Sequence, residues 1–246
     1  MSPAIIDGET VRRPAGPWTP AVHALLLHFE RVGFEGAPRV LGFDEEGREI
    51  LTFVQGKVPG TDWTPTDDQA VYAVGKLLRA LHDVQAGFVP SADAKWQMPS
   101  ALPGDEVICH NDAVGSNFVF RNGRPVALID WELAAPGRRI TDVAMAAAWW
   151  APLRSDEGAK HFGVPTDRRH ERLRRLADGY GLEARERREL VGNCVRVFEG
   201  LYDIHSGVSG KPWLEGRWDA TLIAAAIRKN IDWLEAHRSE LESWHD

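Results

Sequence analysis

The stretch that decides the fold begins Val107-Ile108-Cys109-His110-Asn111-Asp112-Ala113-Val114-Gly115-Ser116-Asn117. It continues Phe118-Val119-Phe120-Arg121-Asn122-Gly123-Arg124-Pro125-Val126-Ala127-Leu128-Ile129-Asp130. Residues 107–110 are an apolar run of strand length. Residues 118–121 and 124–129 flank Asn122-Gly123, the dipeptide that tolerates the positive φ angles of a two-residue hairpin turn. Counting outward from that turn pairs Arg121 with Arg124 and Phe120 with Pro125. The missing proline N–H then faces away from the partner strand. The same count sets Asn117 opposite Leu128, with Asp130 emerging just past it at the open end. Asp112, on the loop before the hairpin, reaches the same place. Hard oxygen donors at the mouth of a small sheet suit Mg²⁺, which takes one or two carboxylates and keeps positions for phosphate oxygens.

Upstream, the chain reads as short strands and one helix. Residues 10–13 follow the Asp7-Gly8 turn as a brief strand. Thr19-Pro20 predicts a helix start, with Thr19 as N-cap and Pro20 at the first helical position. Val22, Leu25, Leu26 and Phe29 recur at helical spacing, and Gly33 ends the run. Residues 39–43 and 49–54 flank Asp44-Glu45-Glu46-Gly47 and predict a second hairpin. The turn-rich residues 56–65 read as a linker. A helix over 67–83 carries Val71, Val74, Leu77, Leu78 and Leu81 on one face. Downstream, helical patterns cover roughly 141–151, 167–180, 184–205 and 217–243.

The 246 residues suffice for one domain or two small ones. The net charge of −7 argues against a nucleic-acid-coating surface, which needs excess positive charge, and leaves room for a cationic ligand. Two cysteines, Cys109 and Cys194, cannot frame a disulfide scaffold. No apolar run reaches membrane-spanning length and no signal peptide is read, so no membrane partner and a cytoplasmic location are expected.

The pattern His110-x-Asp112-x-x-x-x-Asn117, then an apolar strand ending in Asp130, resembles the catalytic segment of the protein-kinase-like fold. It resembles specifically the aminoglycoside phosphotransferase and choline kinase family. In that family a Lys two residues after the catalytic Asp is absent, and Val114 stands there. Ile140-Thr141-Asp142-Val143-Ala144 and Leu77-Leu78-Arg79-Ala80-Leu81-His82 match as well. The resemblance covers roughly residues 10 to 150.

It implies an α+β, two-lobed fold. Residues 1–55 would form a shortened N-terminal nucleotide-binding lobe, a small antiparallel sheet plus helix. Residues 56–246 would form a larger, mostly helical catalytic and substrate lobe around the hairpin. It implies transfer of the γ-phosphate of ATP or GTP to a hydroxyl of a small molecule. Asp112 would be the catalytic base, and Asn117 and Asp130 would hold Mg²⁺. His110 and Asp142 would brace the loop from behind. Arg13, with Arg12 second, would meet phosphate, and the backbones of Thr52 and Val54 would meet the adenine edge.

The N-terminal part departs from this pattern. The glycine-rich hairpin that covers the phosphates in the family is absent before residue 10. Arg13 stands in place of the phosphate-pairing Lys, and His23 in place of its Glu, with Glu30 two turns further on. An alternative follows, a catalytically degenerate kinase fold used for binding or regulation. A third reading is a metal-dependent hydrolase using His110, Asp112 and Asp130.

Other features have plainer readings. Cys109 and His110 point to opposite faces of a strand, so Cys109 is a buried free thiol rather than a nucleophile. The Asp167–Arg175 stretch reads as a solvated helix face, and Arg138-Arg139 as a surface pair. Trp149, Trp150 and Trp233 read as core. Trp18, Trp63, Trp96, Trp213 and Trp218 lie in turn-rich segments and are candidates for a cleft lining. Glu199, Asp203, Glu215 and Asp219 could receive an amine.

Overall fold

The computed structural model describes residues 4–60, 67–161, 165–206 and 220–245. Its N-terminal strands are β1 (Ile5–Asp7), β2 (Thr10–Arg13), β3 (Val40–Phe43) and β4 (Glu49–Thr52), in the antiparallel order β1-β2-β4-β3. Helix α1 (Thr19–Arg31) lies between β2 and β3 in the chain. It buries the expected face, Val22, Leu25, Leu26 and Phe29. Phe29 meets Trp131 edge-on at 5.4 Å, joining α1 to the segment that follows the 118–128 hairpin.

β1 was not expected. Three residues are too few to show a period, and the strand exists because Gly8 (φ +59°) turns the chain so that Asp7 faces Thr10. The cap of α1 also differs. Trp18 occupies that position, and Thr19 Oγ1 instead accepts the Gly16 N–H at 2.9 Å.

Of the expected linker, residues 56–60 are described, and Lys57 bridges to Phe120 in both directions (2.9 and 2.7 Å). This close approach requires Gly56, whose φ is +152° and whose Cβ would lie 2.6 Å from the Phe120 carbonyl oxygen.

Helix α2 (Asp68–Asp83) is capped by the Asp67 side chain. It is followed by β5 (Val107–Cys109) and by the hairpin β6 (Phe118–Arg121) and β7 (Arg124–Leu128). β8 (Ala135–Gly137) pairs with β5, a strand that Pro136 concealed from the sequence pattern. Then come α3 (Ile140–Trp150), α4 (Asp156–His161), α5 (Arg169–Tyr180), α6 (Ala184–Ser206), α7 (Ala220–Ala236) and α8 (Arg238–Glu242). The long last helix expected from the pattern is thus broken near His237, and α4 is an addition.

One hydrophobic cluster runs from α1 and α2 through the hairpin to α3, α5, α6 and α7. At its centre α2 and α5 touch through glycines. A Cβ on Gly179 would lie 2.0 Å from Tyr72 O, and one on Gly75 2.4 Å from Leu176 O.

Trp149 and Trp150 are buried, Trp233 is partly buried, and both cysteines are buried and free. Trp18 and Trp96 pack half-buried against the core. Trp63, Trp213, Trp218, Glu215 and Asp219 lie outside the described residues. Glu199 and Asp203 are exposed on α6.

The Asp167–Arg175 stretch is not simply a solvated face. Arg172 is fully buried, donates from Nε to Trp150 O at 2.6 Å and lies 3.6 Å from Asp68. A buried guanidinium needs such partners, and here it ties α5 to α2 and α3. Arg138 and Arg139 pair with Glu106 and Asp83 at the surface.

Candidate active site

The loop 110–117 is held by a carboxylate that it does not contain. Asp142, completely buried in the first turn of α3, accepts the His110 N–H (2.8 Å) on Oδ2 and the Asn111 N–H (2.9 Å) on Oδ1. Its Oδ2 also faces His82 Nε2 at 3.1 Å, and His82 Nδ1 lies 2.8 Å from the Tyr180 hydroxyl. Burial pushes the Asp142 carboxyl up. The bond and charge of His82, the charge of His110 and the backbone donor outweigh it, and the group titrates below its ordinary range.

With its N–H fixed, Asn111 adopts a left-handed backbone (φ +62°) and ties Nδ2 to Leu133 O at 3.0 Å. Gln85 supports the preceding strand in the same way, gripping both the N–H and the C=O of Ile108.

His110 sits behind the loop. Its Nε2 donates to Ile129 O (2.9 Å), its Nδ1 accepts the Asp112 N–H (3.3 Å), and its ring stands edge-on to Trp131. Both nitrogens are thus engaged with backbone. Among the described residues no three His, Cys, Asp or Glu side chains converge on a metal-sized point. The hydrolase reading, which needs His110 as a ligand, does not fit this geometry.

Asp112 is half-buried at the loop's outer edge. Asn117 Nδ2 donates to both its carboxylate Oδ2 (2.7 Å) and its carbonyl (2.8 Å). Burial raises the Asp112 pKa, opposed by the charge of His110 and the Asn117 bond and assisted by the nearby Asp130.

The hairpin register differs from the expected one beyond Pro125. Arg121 faces Arg124 and Phe120 faces Pro125, but a bulge lets Val119 face Ala127 and Phe118 face Leu128. Asn117 therefore meets Ile129, whose N–H it accepts at 2.9 Å, instead of Leu128. The extra residue of the bulge brings Asp130 one position closer to Asn117 than the count implied. Asp130 has φ +66° and its carboxylate is about half exposed.

Asp130 lines a cleft of about 290 Å³ with Ile6, Val11, Arg13, Leu51, Thr52, Phe53, Val54, Ile129 and Glu132 among its walls. Alternation along β2 sends Arg13 into this cleft, where it is hydrogen-bonded to Asp130 and, through Nε, to Glu49 Oε1 at 2.5 Å. Arg12 points elsewhere and pairs with Asp7 of β1 at 2.5 Å. The N–H groups of Thr52 and Phe53 are engaged by Arg39 O and Glu9 O. That of Val54 has no acceptor among the described residues.

Between Asn117 and Asp130 the chain offers an amide oxygen and a solvent-facing carboxylate. With Asn117 Nδ2 held by Asp112, its Oδ1 is the free donor. This pair fits a hard divalent cation that draws its remaining ligands from phosphate and water.

Glu49, Tyr180 and Gln85 had no role in the sequence reading, and His82 entered only as the end of a matching helix. One signal was available. A charged residue at position 49 alternates in phase with Leu51, on the face the strand buries.

Residues 92–191, which include the loop, the hairpin and Asp142, match the model of the phosphotransferase enzyme family. Over 249 aligned residues the chain is 40% identical to the trifolitoxin immunity protein of Rhizobium leguminosarum bv. trifolii, covering 96% of this chain and 92% of that one. The chain belongs to the phosphotransferase enzyme family.

Solved structures share the fold, two of them small-molecule kinases. The amicoumacin kinase hAmiN, in complex with AMP-PNP, Ca²⁺ and its ligand, superposes with TM-score 0.61 at 12% identity, covering 94% of this chain and 87% of that one. A Plasmodium vivax ethanolamine kinase gives 0.62 at 12% identity, covering 94% and 77%. The expected family and the α+β kinase-like architecture are thereby met, and the chain is a phosphotransferase enzyme by membership.

Proposed function

We propose that this phosphotransferase moves the γ-phosphate of a nucleoside triphosphate, ATP or GTP, onto a hydroxyl of a small molecule. The observation that carries the reading is the juxtaposition of Asp112, pinned by Asn117, with the Arg13–Asp130 cleft. The nucleotide lies between a lobe of residues 1–55 and one of 56–246. Its adenine edge meets the backbone of Val54, with Thr52 beside it.

Asn117 and Asp130 would hold Mg²⁺, which would supply positive charge against the phosphates. Arg13 meets the phosphates from the other side with a planar, permanently charged fork. Asp112 orients the acceptor hydroxyl and takes its proton as the new O–P bond forms. The bond to the β-phosphate oxygen breaks, and the nucleoside diphosphate leaves. Burial makes Asp112 a better proton acceptor than a solvated carboxylate. His110 positions that residue through its backbone.

The 40% identity to an immunity protein supports a hydroxyl-bearing toxin or antibiotic as acceptor, and the net charge of −7 suits a cationic one. The nucleotide co-substrate puts the reaction in the cytoplasm, with no nucleic acid or membrane required.

The test is turnover of Mg-ATP and Mg-GTP against a panel of hydroxyl-bearing antibiotics and amino alcohols, beside Asp112→Ala. Transfer that survives the substitution sinks the mechanism. The alternative, a binding or regulatory module, is favoured by one feature. The β1–β2 connection is a two-residue turn with a single glycine, Gly8, in place of a phosphate-covering loop. It predicts no turnover with any acceptor.

A further inference from the structure

Glu49 opens β4 directly opposite Arg13 in the β2–β4 ladder. It is 2% exposed, on the side of the strand that buries Leu51. A buried carboxylate is costly unless its oxygens are matched. Here they are divided between two elements. Oε1 takes Arg13 Nε at 2.5 Å, and Oε2 lies 2.8 Å from His23 Nε2 on α1. Burial pushes the Glu49 carboxyl up, yet His23 and Arg13 together hold it below its ordinary range.

We infer that Glu49 is the positioning residue for Arg13, and that α1 is tied to the cleft through His23 and not through a carboxylate of its own. This deepens the proposed function, resting on its reading of Arg13 as the phosphate-side cation.

The geometry joins two departures from the family pattern, Arg13 and His23, into one rearrangement around Glu49. An ammonium is a point charge. Anchored by a carboxylate on the neighbouring strand, a Lys at position 13 would have its single nitrogen held at the sheet. A guanidinium can give Nε to the strand and still project its terminal nitrogens into the cleft, where one already reaches Asp130. With the carboxylate supplied by β4, a Glu at position 23 would place two buried anions together. A histidine there gives Glu49 its second partner. Arg13, His23 and Glu49 are thus one unit, and Glu30, exposed on α1, is not part of it.

The test uses Glu49→Gln, Glu49→Asp, Arg13→Lys and the double variant Arg13→Lys/Glu49→Gln. Three quantities are read on each full-length protein: the Arg13 Nε–Hε resonance in ¹⁵N NMR where Arg13 is present, the Kd for a fluorescent Mg-ATP analogue, and the melting temperature. Glu49→Gln is expected to move and broaden the Nε–Hε signal and to weaken the nucleotide about tenfold. Arg13→Lys should weaken it to a similar degree, and the double variant by no more than about twofold further, the non-additivity of coupled neighbours. Glu49→Asp keeps the charge but loses reach, so it should shift the same resonance and weaken binding by several-fold even where Glu49→Gln does not fold.

An unmoved Nε–Hε signal, or losses that simply add, would overturn the inference. So would a lowered melting temperature with unchanged nucleotide affinity, the signature of a purely structural Glu49. Failure of the underlying reading looks different: the wild-type protein binds no nucleotide while the resonance still responds to Glu49→Gln.

Discussion

The loop 110–117 and the Arg13 end of the cleft are held by opposite means. In the loop, one buried carboxylate, Asp142, grips the backbone N–H groups of two successive residues. Around Arg13, side chains grip side chains across elements. Arg13, His23 and Glu49 come from β2, α1 and β4. A backbone clamp depends little on the identity of the residues it holds. A side-chain clamp depends on every member. The loop can therefore keep a recognisable motif while the charges around Arg13 are shared among strands and helix.

The sharpest way to break this comparison is chemical. Asp112→Ala should lower phosphoryl transfer by about 10²–10⁴-fold, the usual weight of a general base. Nucleotide affinity, which the proposed function assigns to the Arg13 side, should stay within about threefold of wild type. Steady-state rates and calorimetry on the same preparations check both halves.

The next prediction concerns stability. Asp142→Ala strands two backbone donors and His82 in the core, and should destabilise the fold by roughly 3–5 kcal/mol in urea unfolding. Glu49→Gln leaves a polar group in place and should cost about 1–3 kcal/mol. A reversed order would mean that the backbone clamp is the weaker of the two.

Acid titration sharpens the point. Asp142 and Glu49 both titrate below their ordinary values in the folded chain. The unfolded state therefore binds protons first. Their stabilisation is complete above the unfolded values, roughly pH 4, and is lost as pH falls through the folded ones. Urea midpoints measured from pH 6 to pH 2 should fall steeply below about pH 4, and less steeply in Asp142→Asn. A wild-type profile that is flat through this window would contradict the assignment.

The smallest expected effect is at the far end of the relay. Tyr180→Phe removes the hydroxyl that meets His82 Nδ1 and should cost about 1 kcal/mol. Thermal melts beside an assay of transfer should show a lower midpoint and nearly unchanged turnover.

These contrasts also explain what could be read from the chain. The hairpin, the loop and Asp142 were legible because their pairings are local or regularly spaced. Asn122-Gly123 sets the turn, and the distances from Asp112 to Asn117, Asp130 and Asp142 are short. The register error arose from a bulge near Val126, which an alternating pattern cannot signal. The Arg13–Glu49 pair, 36 residues apart, depends on a register between strands that are not joined by a turn. The same is true of His82 and Tyr180, 98 apart, which meet only when α2 and α5 cross. β1 and β8 have three residues each, below the length at which any period shows.

That crossing has a further consequence. Where Gly75 and Gly179 meet the facing backbone, no side chain stands between the two helices. A joint without side chains has no rotamers, so it cannot be shimmed by repacking as its neighbours change. It acts as a datum face, the surface from which a machinist measures everything else. His82 and Tyr180 sit beside it and hand its position to Asp142. Changes in α6 and α7 can then leave the loop 110–117 where the joint puts it.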